Sequence, residues 1–157
     1  MEASKQGHTE DCSCCASVPT NPSVQQSLDE LEFERSIWQA AIDNDVHKIN
    51  KFSNAQKFDP NATDKYGYTA LHYAARNGCL DAAKTLIKCG ADCNAQTGSL
   101  RATPLHRAVT AKKTEMVRLL VQSGANLKLK DSDGLTPFDR AMKEGHQQIL
   151  DILRKNL

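Results

Sequence analysis

The stretch "TALHYAARNG", Thr69 to Gly78, sets a threonine and a histidine three residues apart where a helix rich in small residues should begin. Whether that pair is unique decides how it is read, and it recurs. "TPLHRAVTAK" starts at Thr103 and "TPFDRAMKEG" at Thr136, so the threonines are spaced by 34 and then 33 residues. Leu71, Leu105 and Phe138 follow two positions after each threonine. A degenerate earlier copy aligns Ile37, Ala40, Ala41 and Asn44 with Leu71, Ala74, Ala75 and Gly78. A fixed period of this length marks stacked units, each too small to bury its apolar face alone.

Each unit carries two helical patterns. Leu80, Ala83, Leu86 and Ile87 recur at helical spacing, as do Met116, Val117, Leu120 and Val121 one period later. Gly90 and Gly124 supply left-handed residues that end those second helices. The first helices are short, and Ala74, Ala75 and Ala108 let neighbours approach closely. Upstream, Ser27 and Glu30 form an S-x-x-E capping box, which predicts a capping helix from Leu28 to about Asp43. Arg154 and Lys155 complement the C-terminal end of the last helix, where the array is expected to stop after four helix pairs. Two departures stand out. "TGSLRAT" is one residue longer than "TDKYGYT", so the third loop should bulge. "TAKKT" lacks the glycine found at Gly78 and Gly145, so Lys112 must make a left-handed turn at a cost of about 1 kcal/mol.

The period and the "TPLHRA" signature resemble the ankyrin repeat, a turn plus two antiparallel helices. "TALHYAA" departs from the signature only in replacing proline with Ala70. The resemblance covers about residues 28–157. It implies an all-α ankyrin-repeat solenoid of four stacked helix-turn-helix repeats with β-turn loop tips. The expected organisation is a disordered Cys-containing tail over 1–27, a capping repeat over 28–63, repeats over 64–97 and 98–130, and a C-terminal capping repeat over 131–157. Gln25, Gln26, Phe33, Glu34, Arg35, Ile37 and Trp38, with the Cys-rich start, look like a narrower group of small intracellular proteins with four tandem repeats. Neither resemblance implies a catalytic activity; both imply protein binding.

The totals exclude little else. Apolar residues make up 39%, aromatic residues 5% and charged residues 25%, with a formal net charge of +1, so no global charge draws the chain to a polyanion. No stretch approaches the roughly 20 apolar residues of a membrane span, and the N-terminus has no secretory pattern. The expectation is a cytoplasmic monomer, with the nucleus a second compartment, whose six cysteines stay thiols.

His72 and His106 are the first chemical candidates. In this turn the threonines at 69, 103 and 136 cap helices, and the imidazoles can bond threonine and a neighbouring loop. A catalytic base needs a nucleophile or substrate pocket beside it, and recurrence fits a scaffold bond better than an active site. "HTEDCSCC" offers His8, Cys12, Cys14 and Cys15, residue types that zinc prefers, but at poor spacing and without apolar residues to fold around a metal. A solvated thiol tail, metal binding and palmitoylation all stay open there. Cys79, Cys89 and Cys93 read as small hydrophobes of the repeats. No cofactor, catalytic set or nucleotide loop is indicated.

By similarity to ankyrin stacks, loop tips and the outer side of the first helices form a continuous concave face. Positions free to vary there are Lys65, Tyr66, Tyr68, Arg76 and Asn77; Leu100, Arg101, Ala102, Thr110 and Ala111; and Ser132, Asp133, Leu135, Lys143 and Glu144. Tyr73 and Arg107 extend the same edge. Tyrosine and arginine are enriched at binding hot spots. Arg76, Arg101, Arg107, Lys112 and Lys113 make the centre basic. The expected partner is an unidentified protein with an acidic segment and an apolar or aromatic anchor, not nucleic acid or membrane. The rival reading is a metal- or redox-responsive protein that uses the N-terminal cysteines, with the repeats as its docking surface.

Overall fold

The first N–H groups of a helix have no carbonyl within the helix to bond, and a threonine hydroxyl just before it can take one. The chain uses that device three times. A computed structural model describes residues 36–55 and 58–157. Within them lie eight helices in four pairs: α1 (Ile37–Ile42) with α2 (Val46–Ser53), α3 (Ala70–Asn77) with α4 (Leu80–Lys88), α5 (Pro104–Thr110) with α6 (Thr114–Gln122), and α7 (Pro137–Glu144) with α8 (Gln147–Arg154). The described residues form no strand; a single antiparallel bridge joins Thr63 to Thr69 at a loop base. First helices pack on first helices in sequence order, and second helices do the same.

Small side chains set the closeness of that packing. Ala40, Ala74, Ala75, Ala108 and Ala141 are fully buried in the first-helix row. The second row contributes Ile49, Leu86, Leu120 and Leu153, also fully buried. Each such aliphatic side chain is worth about 1.5–3 kcal/mol against exposure. Because each helix packs on its counterpart in the adjoining pair as well as on its own partner, stability belongs to neighbours rather than to single repeats.

The N-terminal helix differs from its expected span. Ser36 has extended backbone (φ −89°, ψ 171°), and its hydroxyl accepts from the Gln39 N–H at 3.5 Å. A residue so placed is a cap, so no unbroken helix runs from Leu28 to Asp43; α1 starts at Ile37. The Ser27–Glu30 box, the tail over 1–27 and the residues of the narrower resemblance before Ser36 lie outside the described residues.

The turns follow expectation in most places. Lys112 adopts φ 57°, in the register that Gly78 (79°) and Gly145 (71°) fill, and Asn44 does so with φ 57° in the first pair. Gly90 (φ 93°) and Gly124 (φ 87°) follow the second helices. The longer third loop absorbs its extra residue without opening. Asp64 and Asp131 close their loops by donating to Tyr68 and Leu135, four residues on, whereas Thr97 donates to Ala102, five residues on. Arg101 takes φ 46° there, the role that Gly67 and Gly134 play in the shorter loops.

The cysteines need one correction. Of the three in the repeats only Cys93 is buried; Cys79 and Cys89 are half-buried. The Cys79 thiol donates to the Ile42 carbonyl at 3.2 Å, and burial pushes both the Cys79 and Cys93 thiols above their ordinary range.

Candidate functional site

The threonine–histidine pairs are built identically and face inward. Thr69 and His72 are 2% and 1% exposed, and Thr103 and His106 are each 1% exposed. His72 Nε2 lies 3.0 Å from the Ala102 carbonyl, and His106 Nε2 lies 3.1 Å from that of Leu135. A carbonyl only accepts, so Nε2 carries the proton and Nδ1 is the acceptor. His72 Nδ1 then takes the Thr69 N–H at 3.2 Å and the hydroxyl at 2.9 Å, and His106 Nδ1 meets Thr103 with the same two distances. Burial lowers the His72 pKa to about 4 and depresses that of His106. Each ring is a neutral strut with both nitrogens engaged, joining its own cap to the next repeat's loop.

The strut changes at both ends of the row. Trp38 occupies the histidine's register in the first pair and donates from Nε1 to the Ala62 carbonyl at 3.4 Å. Asp139 occupies it in the last, accepting from the Thr136 N–H at 3.0 Å and hydroxyl at 2.7 Å. Those two bonds hold its carboxyl below the usual range.

Around the struts, the expected face divides into a packed centre and an exposed rim. Tyr68 is half-buried, edge-on to His72 (ring centroids 5.8 Å apart) and tilted against Tyr73 (5.7 Å). The Arg107 guanidinium lies 5.2 Å from the centre of the Tyr68 ring. Tyr73 donates its hydroxyl to Asp64 at 2.6 Å; burial and that bond push its pKa upward. Tyr66 stands out at 63% exposed, with Lys65 Nζ 5.3 Å from its ring centre. Arg76, Leu100 and Arg101 are exposed, and Leu135 is half-buried. Ala102 does not belong with them. It is 6% exposed, because its carbonyl and N–H are both bonded inside the third loop and to His72.

In the fourth repeat Arg140 pairs with Asp131 through Nη2 and through Nε at 3.0 Å, and with Asp133 at 3.0 Å. Burial would raise the Asp131 carboxyl, but the Arg140 bonds and the N–H groups of Leu135 and Asp133 outweigh it and hold the group low. A cavity of about 140 Å³ lies between this pair and Arg107, bordered also by Leu100 and His106. A wider groove of about 570 Å³ runs between loop tips past Lys65, Tyr66, Tyr68 and Ser99.

Several connecting residues escaped the sequence reading. The Asn61 side chain accepts from the Asp92 N–H and that of Asn94 from the Asn126 N–H, each at 2.7 Å. They form a ladder with the same period as the repeat, and that periodicity was the available signal. The described residues contain no group of three or more His, Cys, Asp or Glu placed to hold a metal. His8, Cys12, Cys14 and Cys15 lie outside the described residues.

Comparison with known proteins fits this architecture. The family model "ankyrin repeats (3 copies)" matches residues 1–97, and "ankyrin repeats (many copies)" matches 86–141. Human ankyrin repeat domain-containing protein 39 is 42% identical over 87 residues, covering 55% of this chain and 47% of that protein. The Bos taurus protein of the same name is 48% identical over 68 residues, covering 43% and 37%. The Drosophila melanogaster neurogenic locus Notch protein is 47% identical over 86 residues, covering 54% of this chain but 3% of Notch. The chain thus spans less than half the length of each of these relatives.

Proposed function

The chain belongs to the ankyrin-repeat family, and from that membership we propose that it is a non-enzymatic adaptor that binds a partner protein on the face made by its loop tips and first helices. Ankyrin repeats are protein-interaction modules. The observation that carries the choice of face is the exposed aromatic and basic rim. Tyr66, Arg76, Leu100 and Arg101 stand beside a rigid centre in which Tyr68, Tyr73 and Arg107 are already held by packing and hydrogen bonds. A surface that is ordered before binding loses little side-chain freedom on contact, and aromatic and arginine anchors supply most of the energy at interfaces. The second-helix side offers a different chemistry. On two of its four helices exposed charges pair within the helix, Lys84 with Asp81 and Arg118 with Glu115.

The test compares affinity purification from cells with the intact chain, a Tyr66→Ala/Arg76→Glu variant and a Lys84→Glu/Arg118→Glu variant. The partner should be lost with the first variant and kept with the second. The reverse pattern would move the binding face to the second helices and overturn the reading.

A further inference from the structure

Repeats two and four share a device that the third repeat lacks. In repeat two the loop opens with Asp64, which accepts the N–H groups of Tyr66 and Tyr68 and the hydroxyl of Tyr73. In repeat four Asp131 accepts the N–H groups of Asp133 and Leu135 and the guanidinium of Arg140. Tyr73 and Arg140 occupy the same place in α3 and α7, each nine residues beyond its aspartate. The corresponding residue in α5 is Arg107. Its loop opens with Thr97 instead of aspartate, and that hydroxyl is taken by the Ala102 N–H at 3.1 Å.

Arg107 therefore sits in the middle of the row without the carboxylate its neighbours in the row have. Among the described residues no acidic oxygen lies within ion-pair distance of it, and its guanidinium lies over the Tyr68 ring. The nearby carboxylates of Asp131 and Asp133 are both committed to Arg140. Arg76 and Arg101, exposed on the same face, likewise have no ion-pair partner among the described residues; the cavity itself is lined by Arg107 and Arg140 and by the carboxylates of Asp131 and Asp133 that Arg140 holds. The 140 Å³ cavity beside Arg107 has room for a single side chain.

We propose that Arg107 is the specificity anchor of the binding face, and that a Glu or Asp side chain of the partner protein fills the place left by the missing loop aspartate. The inference rests on the concave-face reading and sharpens it to one contact. Arg107 is half-buried and pre-positioned by Tyr68, so its five donors meet an incoming carboxylate in a fixed fork. Partners without an acid at that register leave a desolvated cation unpaired, which is the basis of discrimination.

A phage-displayed library of random dodecapeptides, selected on the intact protein, supplies the probe. Enriched peptides should carry Asp or Glu at one register. In synthetic versions, Glu→Gln in the peptide and Arg107→Gln in the protein should each weaken binding about tenfold, with no further loss when combined. Arg107→Lys should retain part of the affinity, and Arg107→Glu should select Lys or Arg at that register. Thermal melts of the four proteins show that each is folded. Enriched peptides with no acidic register, additive losses, or no enrichment over an unrelated protein would overturn the anchor. If such acid-independent peptides still weaken with Tyr66→Ala/Arg76→Glu, the concave-face reading survives; if they do not, it falls too.

Discussion

At the scale of single residues, His72 shows how burial turns a titratable group into a fixed strut. Its imidazole is neutral because protonation would place a charge where little water reaches and would remove the Nδ1 lone pair that Thr69 uses. The pKa falls to about 4 in the fold, against about 6.5 in an unfolded chain. Between those values the unfolded state binds more protons, so stability is full above the unfolded value and is lost as pH falls through the window. From His72 alone the loss between pH 7 and pH 5 should be about 2 kcal/mol. His106 acts in the same direction. Denaturant midpoints at the two pH values measure the sum, and His72→Ala should flatten the profile while lowering stability at pH 7. An NMR titration that finds the His72 ring protonating near pH 6.5 would contradict this account. The carboxylates of Asp131 and Asp139 act in a separate window, because their lowered values place their loss below the ordinary carboxylate range.

At the scale of elements, the turns between paired helices separate two kinds of left-handed residue. Lys112 and Asn44 have the same φ of 57°, yet only Asn44 uses its side chain to join repeats. Its Oδ1 accepts the Ala82 N–H at 2.9 Å, capping the first turn of α4 from the preceding repeat; Cys79, the residue before α4, makes no side-chain cap bond. Glycine relieves the left-handed strain in both places. Lys112→Gly should therefore raise the unfolding free energy, by up to about 1 kcal/mol. Asn44→Gly should lower it by about 1 kcal/mol, because the Ala82 donor loses its cap. Equal shifts in urea midpoint would show that turn strain and not the cross-repeat bond controls both sites. The sequence made Lys112 legible, since glycine stands in that register twice and is absent once. It hid the Asn44 bond, because its partner Ala82 is a backbone donor that no side-chain pattern marks. The start of α1 at Ile37 is hidden in the sequence for a related reason. The Ser27 box matched a pattern, whereas Ser36 acts through a backbone bend that composition does not report.

At the scale of the whole molecule, the period that revealed the fold also set the limit of what could be read. Periodicity identified the positions that are alike, and so the struts, the alanine row and the closing glycines. The proposed binding face depends on where repeats differ, as with Thr97 in place of an aspartate, and such differences gain meaning only when Arg107, Tyr68 and Arg140 are seen together. The same linear arrangement predicts how stability is shared. Repeats three and four are joined by the His106 strut to Leu135 and the Ser132 N–H to the Leu100 carbonyl at 2.9 Å, beside the packing of α5 on α7. Each bond links adjacent units, so damage should spread by proximity. His106→Ala removes one joint and leaves the Leu135 carbonyl with only the Asp131 N–H of its own loop. Amide exchange in residues 137–154 should then quicken about tenfold, corresponding to about 1.4 kcal/mol of lost coupling, while the protected amides of residues 70–88 change far less. Asp139→Ala is the matched control. It removes a helix cap inside the fourth repeat but no bond between repeats, so its effect should be confined to the start of α7. Hydrogen exchange read by mass spectrometry resolves these segments. Equal acceleration from residue 70 to residue 154 in His106→Ala would show that the stack opens as one cooperative body, and the neighbour-by-neighbour account would then fail.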